Sequence, residues 1–330
     1  MPANLTNQYH KAEQAYRRAT TPEEELTCLQ EMLRELPKHK GSENLQAELK
    51  QKISKAKKSA QEQGKSGKKT SGFRLPRQGA GRAVIIGGAN AGKSQLLSSL
   101  TRATPEVAEY PFTTHQPLPG MMNWEDVTVQ LVDTPPITRD VFDPVTQGLI
   151  RSADVVVLMI DLGDDDGIEH IQDVLEKLAD TKTRLARESY LDESDIGVSY
   201  TRTFSVPNKS DLPDASERLE LLKEFCPMDF EEFVVSARDG TGLDALREAI
   251  YQSLDVVRVY TKMPNEKEAD YDRPYTIPRG GTLLDVAQLI HKDFAENLKF
   301  AKVWGEAVHD GTTVKGDYVV HDKDVVELHV

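Results

Sequence analysis

Gly87-Gly88-Ala89-Asn90-Ala91-Gly92-Lys93-Ser94 satisfies every fixed position of the pattern G-x-x-x-x-G-K-[ST]. The apolar run Ala83-Val84-Ile85-Ile86 precedes it and Gln95-Leu96-Leu97-Ser98-Ser99-Leu100 follows, so the order reads strand, loop, helix. Glycines let successive backbone N–H groups curve around an anion, and a helix N-terminus adds partial positive charge. Lys93 then reaches the β- and γ-phosphates, and the Ser94 hydroxyl is a candidate Mg²⁺ ligand. Residues Gly87 to Gln95 are the candidate phosphate contacts. The alternative, a Gly-rich turn that happens to precede Lys-Ser, leaves both flanks unexplained. The expected ligand is a nucleoside triphosphate.

The base is addressed by Asn208-Lys209-Ser210-Asp211, which follows the strand-like Thr203-Phe204-Ser205-Val206. Ligands of open α/β sheets bind at the carboxyl ends of strands. The Asp211 carboxylate there can accept from N1–H and the N2 amine of guanine, two donors that adenine lacks. Charge-assisted bonds are worth about 1.5–3 kcal/mol each, so the pair separates GTP from ATP by roughly 10²–10⁴ in affinity. Val234-Val235-Ser236-Ala237 then offers a strand ending in Ser236 and Ala237, whose backbone can support the base. Alone, NKSD is a common solvated turn; its place after the phosphate loop is what makes it informative.

With these pieces in order, the chain resembles a GTPase of the Obg superfamily, and within it the developmentally regulated GTP-binding (DRG) proteins. Tyr110-Pro111-Phe112-Thr113-Thr114, Asp133-Thr134-Pro135 and Asn208-Lys209-Ser210-Asp211 carry the resemblance. The tail adds Arg258-Val259-Tyr260-Thr261-Lys262, Arg279-Gly280-Gly281-Thr282, Ile290-His291-Lys292-Asp293 and Val303-Trp304-Gly305, which resemble the TGS module, a small β-grasp domain. The likeness implies slow hydrolysis of GTP to GDP and phosphate, with Mg²⁺, and a ribosome- or RNA-associated role in translation or ribosome assembly.

The resemblance also assigns the switch residues. Thr114, with Thr113 as the alternative, matches the threonine that closes over Mg²⁺ and the γ-phosphate. Asp133 matches the aspartate that holds the metal through water. The family glycine three residues on is Pro136 here, and proline has no N–H to offer the γ-phosphate. A second reading follows: a GTP-dependent binding protein with little hydrolysis. Ile137 stands where Ras-like enzymes carry the water-orienting Gln, as in apolar-substituted Obg relatives, and with Lys93 and Thr114 it completes the candidate catalytic set. Some GTPases with an apolar residue there use a loop Asn as a K⁺ ligand, which makes Asn90 a candidate K⁺ site. The alternative is that Asn90 satisfies loop backbone groups.

The chain has 330 residues and formal net charge −13. That length exceeds one ordinary core, and the acidity argues against a surface that coats nucleic acid broadly. Neither DNA nor a membrane is an expected partner, since no apolar run approaches the ~20 residues needed to span a bilayer. Cys28 and Cys226 lack metal-ligand spacing and are expected as free thiols. The start carries no signal-peptide pattern, and a cytoplasmic location is expected. Lysines and arginines concentrate between Lys50 and Arg82, where contact with rRNA phosphates competes with a simple solvated face.

The expected fold class is α/β: a phosphate-loop GTPase domain with a mostly parallel sheet, preceded by a helical hairpin and followed by a β-grasp. The domain bounds are 1–62 for the helical arm, a docking site for a protein partner, and 63–81 for a flexible basic linker. The nucleotide domain spans 82–260 and the TGS domain 266–330. Strands are expected at Ala83–Ile86, Val127–Val132, Asp154–Asp161, Thr203–Val206, Phe233–Val235, Ala301–Trp304, Asp317–Val320 and Val325–Val330. Arg184–Tyr200 is read as a local insertion, and Thr282 with Asp285 as a helix capping box. His291 and Trp304 are read as packing residues rather than ligands.

Overall fold

The computed structural model describes residues 7–19, 22–36, 43–65, 75–101, 116–181, 183–191, 198–264, 266 and 268–330. Three helices come first: α1 (Asn7–Arg18), α2 (Pro22–Glu35) and α3 (Glu43–Lys65). They enclose a core of their own, built from Tyr9, Ala12 and Tyr16 with Leu29, Met32, Leu36, Leu49 and Ala56. The arm is therefore a three-helix unit where two helices were expected. Its extra helix, α1, is polar apart from that Tyr9–Ala12–Tyr16 stripe at helical spacing, which gives little signal without its partners.

Of the linker expected at 63–81, residues 66–74 lie outside the described residues and both flanks are structured. Helix α3 runs to Lys65, and residues 75–81 lie against the central domain. Ala80 N–H donates to Thr128 O at 2.8 Å, and Arg77 pairs with Asp154. Arg82 is buried, bonded to Gln130 and to Leu75 O, and burial pulls its pKa down to about 10. Two cations of the basic stretch are thus committed to the fold.

The central domain follows as β1 (Arg82–Gly87), α4 (Lys93–Leu100), β2 (Leu118–Trp124), β3 (Val127–Asp133), α5 (Pro144–Ser152), β4 (Val155–Asp161) and α6 (Gly167–Ala179). Then come β5 (Thr183–Ala186), β6 (Tyr190–Leu191), β7 (Ser199–Asn208), α7 (Ala215–Phe225), β8 (Glu231–Glu232) and α8 (Leu243–Ser253). The sheet order is β2-β3-β1-β4-β7-β5, with β6 and β8 also pairing to β7. Strands β1, β3, β4, β5 and β7 run parallel, and β2 returns antiparallel along β3. Parallel strands need both faces covered, and β1 and β4 are accordingly buried end to end. One face packs on α4 and α8, the other on α5, α6 and α7.

Two expectations here need correction. Within the stretch read as an insertion, Arg184–Tyr200, the described residues extend the sheet through β5, β6 and the start of β7. Residues 233–235 are not a strand; they run beside β7 through Phe233 N–H to Ser205 O and Val235 N–H to Pro207 O.

The last domain contains β9 (Val256–Thr261), β10 (Asp270–Pro278), α9 (Leu283–Ile290), α10 (Lys292–Asn297), β11 (Phe300–Gly305), β12 (Val308–Val314) and β13 (Asp324–His329). Its sheet order is β10-β9-β13-β11-β12, with β9 and β13 parallel, and α9 lies across one face. The Thr282–Asp285 capping box opens α9 as expected. Strand β12 was missed and Asp317–Val320 is not a strand; β12 is a half-exposed edge strand with no clear alternation. His291 is an exposed cap of α10 rather than a packing residue, while Trp304 lies under the Lys262 ammonium at 4.4 Å.

Candidate functional site

The carboxyl ends of β1, β3, β4 and β7 converge on the loop between β1 and α4. Gly92 ends that loop at φ 92°, a conformation that favours glycine, and a Cβ on it would meet the Asn208 side chain at 2.3 Å. Gly88 is bare for a different reason: His170 of α6 packs against it, at 3.0 Å from where a Cβ would sit. His170 is thus a neighbour of the loop that no motif announced.

Lys93 is only 7 % exposed, and its ammonium donates to Gly88 O at 2.7 Å and Gly87 O at 3.3 Å. Burial lowers the pKa of this amine, against the pull of Asp133. The charge is held by two carbonyls at the floor of an anion cradle.

Ser94 donates its hydroxyl to Asp133 Oδ2 at 2.5 Å, while Asp133 Oδ1 is buried with no hydrogen-bond partner. Burial pushes the Asp133 carboxyl up despite the Ser94 and Lys93 interactions. A desolvated carboxylate oxygen without a donor, beside a hydroxyl, suits a hard divalent cation. Mg²⁺ fits these two residues, and when bound it would neutralise charge on the β- and γ-phosphate oxygens. Thr113 and Thr114, the other expected closure, lie outside the described residues, as does the whole of Tyr110–Thr114.

Asn208 does more than the motif implies. Its Nδ2 donates to Ala91 O at 2.9 Å, and its Oδ1 accepts from Ala237 N–H at 2.9 Å. At 1 % exposure it faces protein rather than ligand, fastening the phosphate loop to the Ser236-Ala237 turn. Lys209, at φ 68°, pairs with Asp161 Oδ2 at 2.6 Å. Asp211 is exposed and takes the Ser236 hydroxyl at 2.7 Å, which orients the carboxylate while leaving it open to a base. Asn90, at φ 57°, is exposed, and its side chain bonds to none of the described residues. It is therefore not occupied with loop carbonyls, the bland alternative. Gln95 is also exposed and donates to Ser99 at 3.3 Å.

The turn after Asp133 departs from the expected arrangement. Ile137 is 1 % exposed, in the core layer that also holds Ile86, Leu149 and Ile171. Its N–H donates to Gly87 O at 3.2 Å, and Thr134 donates to Ile85 O through both N–H and hydroxyl. Pro135 and Pro136 have no N–H. Burial of an Ile side chain is worth about 1.5–3 kcal/mol and its amide bond about another 1 kcal/mol. Releasing the turn thus costs more than one charge-assisted phosphate bond of about 1.5–3 kcal/mol returns. Ile137 is held as a core residue, away from the mouth of the cradle.

Residues 82–189 match the 50S ribosome-binding GTPase family, and residues 257–330 match the TGS domain family. An uncharacterized GTP-binding protein of Methanocaldococcus jannaschii is 28 % identical over 93 % of this chain and 92 % of its own. The developmentally-regulated G-protein 2 of Arabidopsis thaliana is 26 % identical over 88 % of this chain and 87 % of its own. The chain is thus similar over most of its length to GTP-binding proteins of the developmentally regulated kind. It combines a phosphate-loop GTPase domain with a TGS domain and amino-terminal helices. Among solved structures, the YchF GTPase of Schizosaccharomyces pombe aligns over 78 % of this chain and 99 % of its own, at 15 % identity and TM-score 0.48. No helix among the described residues is long and apolar enough to cross a membrane.

Proposed function

We propose that this GTP-binding protein hydrolyses GTP to GDP and phosphate in a site built from Gly87–Gln95, Asn208, Lys209, Asp211, Ser236 and Ala237. Mg²⁺ is held by Ser94 and Asp133, with Thr114 as the closing group and Asn90 as a K⁺ ligand. The observation that carries the reading is Asn208, which ties the phosphate loop to the base-side turn through two 2.9 Å bonds. Phosphate and guanine subsites so joined favour one nucleotide spanning both. Turnover near ~10⁻⁴–10⁻² s⁻¹ is expected of an unassisted GTPase.

The partner proposed is the ribosome or its RNA, in a cytoplasmic setting. The name of the matched family points there, and Lys50, Lys55 and Lys57 stand exposed along α3, where phosphates could reach them. The helical unit and the TGS domain are the surfaces proposed for a protein partner.

A second reading, a GTP-dependent binder with little hydrolysis, is favoured by the turn after Asp133, in which residues 134–138 retain no unbonded N–H. The experiment is GTP hydrolysis by the purified protein in K⁺ and in Na⁺, with and without ribosomes, using Lys93→Ala as the control. Turnover raised by K⁺ or ribosomes and lost in the control supports the first reading. Tight binding without turnover supports the second. Undiminished binding by Lys93→Ala would refute the phosphate-loop assignment.

A further inference from the structure

The segment from Thr134 to Val141 is fastened at four places. Thr134 is tied to Ile85 O by hydroxyl and amide, and Ile137 is sunk in the core with its amide on Gly87 O. Thr138 and Val141 exchange backbone bonds at 3.1 and 3.3 Å, closing the following loop on itself. Arg139 reaches Asp173 of α6 at 2.6 Å. The two prolines between these anchors hold φ near one value and have no donor to present. Gly87 O is shared: it receives the Ile137 amide at 3.2 Å and the Lys93 ammonium at 3.3 Å, so the turn leans on the same carbonyl as the phosphate-binding lysine.

A ligand shifts a conformational equilibrium only by as much as its affinities for the two forms differ. The γ-phosphate is what distinguishes GTP from GDP, and it finds no free main-chain donor on residues 134–138. We infer that this segment is a fixed wall of the nucleotide site, anchored by Ile137, that keeps one conformation whether GDP or GTP is bound. The inference rests on the GTP-binding reading and adds how the site is regulated: nucleotide state is not signalled through this turn.

The test is amide hydrogen exchange on the full chain, without nucleotide, with GDP, and with a non-hydrolysable GTP analogue. Prolines at 135 and 136 leave Thr134, Ile137 and Thr138 as the reporting amides, so the signal is simple to read. Exchange at Ile137 should agree within about twofold between the two nucleotide forms. Pro136→Gly, which restores an N–H without touching the anchor, should leave Ile137 equally protected. Ile137→Ala should instead speed exchange at 137 and make it depend on the nucleotide; if that variant does not fold, the first two proteins still decide. A tenfold or greater rise at Ile137 with the analogue alone would overturn the fixed wall while leaving GTP binding intact. Absence of binding by either nucleotide would remove the GTP reading, and this inference with it.

Discussion

Arg258 in β9 donates to Asp126 in the β2–β3 turn at 2.8 Å, joining the TGS domain to the GTPase domain at a 6 % exposed guanidinium. The same guanidinium reaches Glu125, takes Asp322 through two nitrogens at 2.8 and 3.1 Å, and lies over the Tyr251 ring. Tyr260 adds its hydroxyl to Asp126, and Trp124 stacks on Tyr251 with centroids 5.7 Å apart. A buried cation satisfied by three carboxylates is hard to undo one partner at a time, because each loss strands a charge. At the far side, Lys11 of α1 meets Asp285 of α9 at 3.5 Å, an exposed pair of little energetic weight.

Arg258→Ala should therefore destabilise the protein by about 2–3 kcal/mol at neutral pH, less than for a fully buried pair because the carboxylates are partly exposed. Burial alone would raise Asp126 and Asp322, but the Tyr260 and Arg258 bonds to Asp126, and those of Arg258 to Asp322, hold both below the usual carboxylate range. A carboxyl depressed in the folded state contributes stability above its unfolded value and loses it as pH falls through the folded one. Wild type should thus lose stability below about pH 4 more steeply than Arg258→Ala. Denaturant midpoints across pH 2.5–7 check this; parallel curves would deny the clasp its role.

Asn208→Ala removes both bonds of the staple and leaves Ala91 O and Ala237 N–H without it. Two buried groups stranded in this way should cost about 1–3 kcal/mol of stability. Nucleotide affinity should fall for GDP and GTP alike, since the damage precedes any γ-phosphate contact. Calorimetric titration with each nucleotide measures the ratio, and a loss confined to GTP would contradict it.

Asp211→Asn should turn preference from guanine towards xanthine nucleotides, because the amide can donate where the carboxylate could only accept. The expected loss of GTP affinity is roughly 10²–10⁴. Because Ser236 donates to Asp211 at 2.7 Å, Ser236→Ala should weaken binding mildly without changing base preference. Competition between GTP and XTP separates the two effects.

Asn90→Ala should erase any stimulation of hydrolysis by K⁺ over Na⁺ while sparing GDP affinity. The side chain has no described protein partner to lose, but alanine is less favoured than asparagine at φ 57°, so stability should fall by about 1 kcal/mol while the fold is kept. Equal wild-type rates in the two salts would end the potassium assignment.

The nucleotide chemistry was legible because it is written in contiguous residues. A phosphate cradle needs one short run of backbone conformations, so Gly87–Ser94 between an apolar strand and a helix declares itself, as does Asn208–Asp211. The capping box at Thr282 and Asp285 is equally local. The burial of Ile137 was not legible, since an apolar residue at that position reads alike whether it faces ligand or core. The helix α1 and the edge strand β12 were missed for a related reason, each being polar over most of its length and held by partners far along the chain.

Motif order and hydrophobic alternation were enough for a phosphate-loop sheet that prefers guanine, followed by a β-grasp, because those properties depend on neighbours a few residues apart. Folding decided that Asn208 serves as a staple, that Arg77 and Arg82 support the sheet, and that Ile137 pins the turn after Asp133. It also brought Arg258 to Asp126, 132 residues apart along the chain. Such contacts follow from where packed layers and loop ends meet in space, and separation in sequence carries no trace of that meeting.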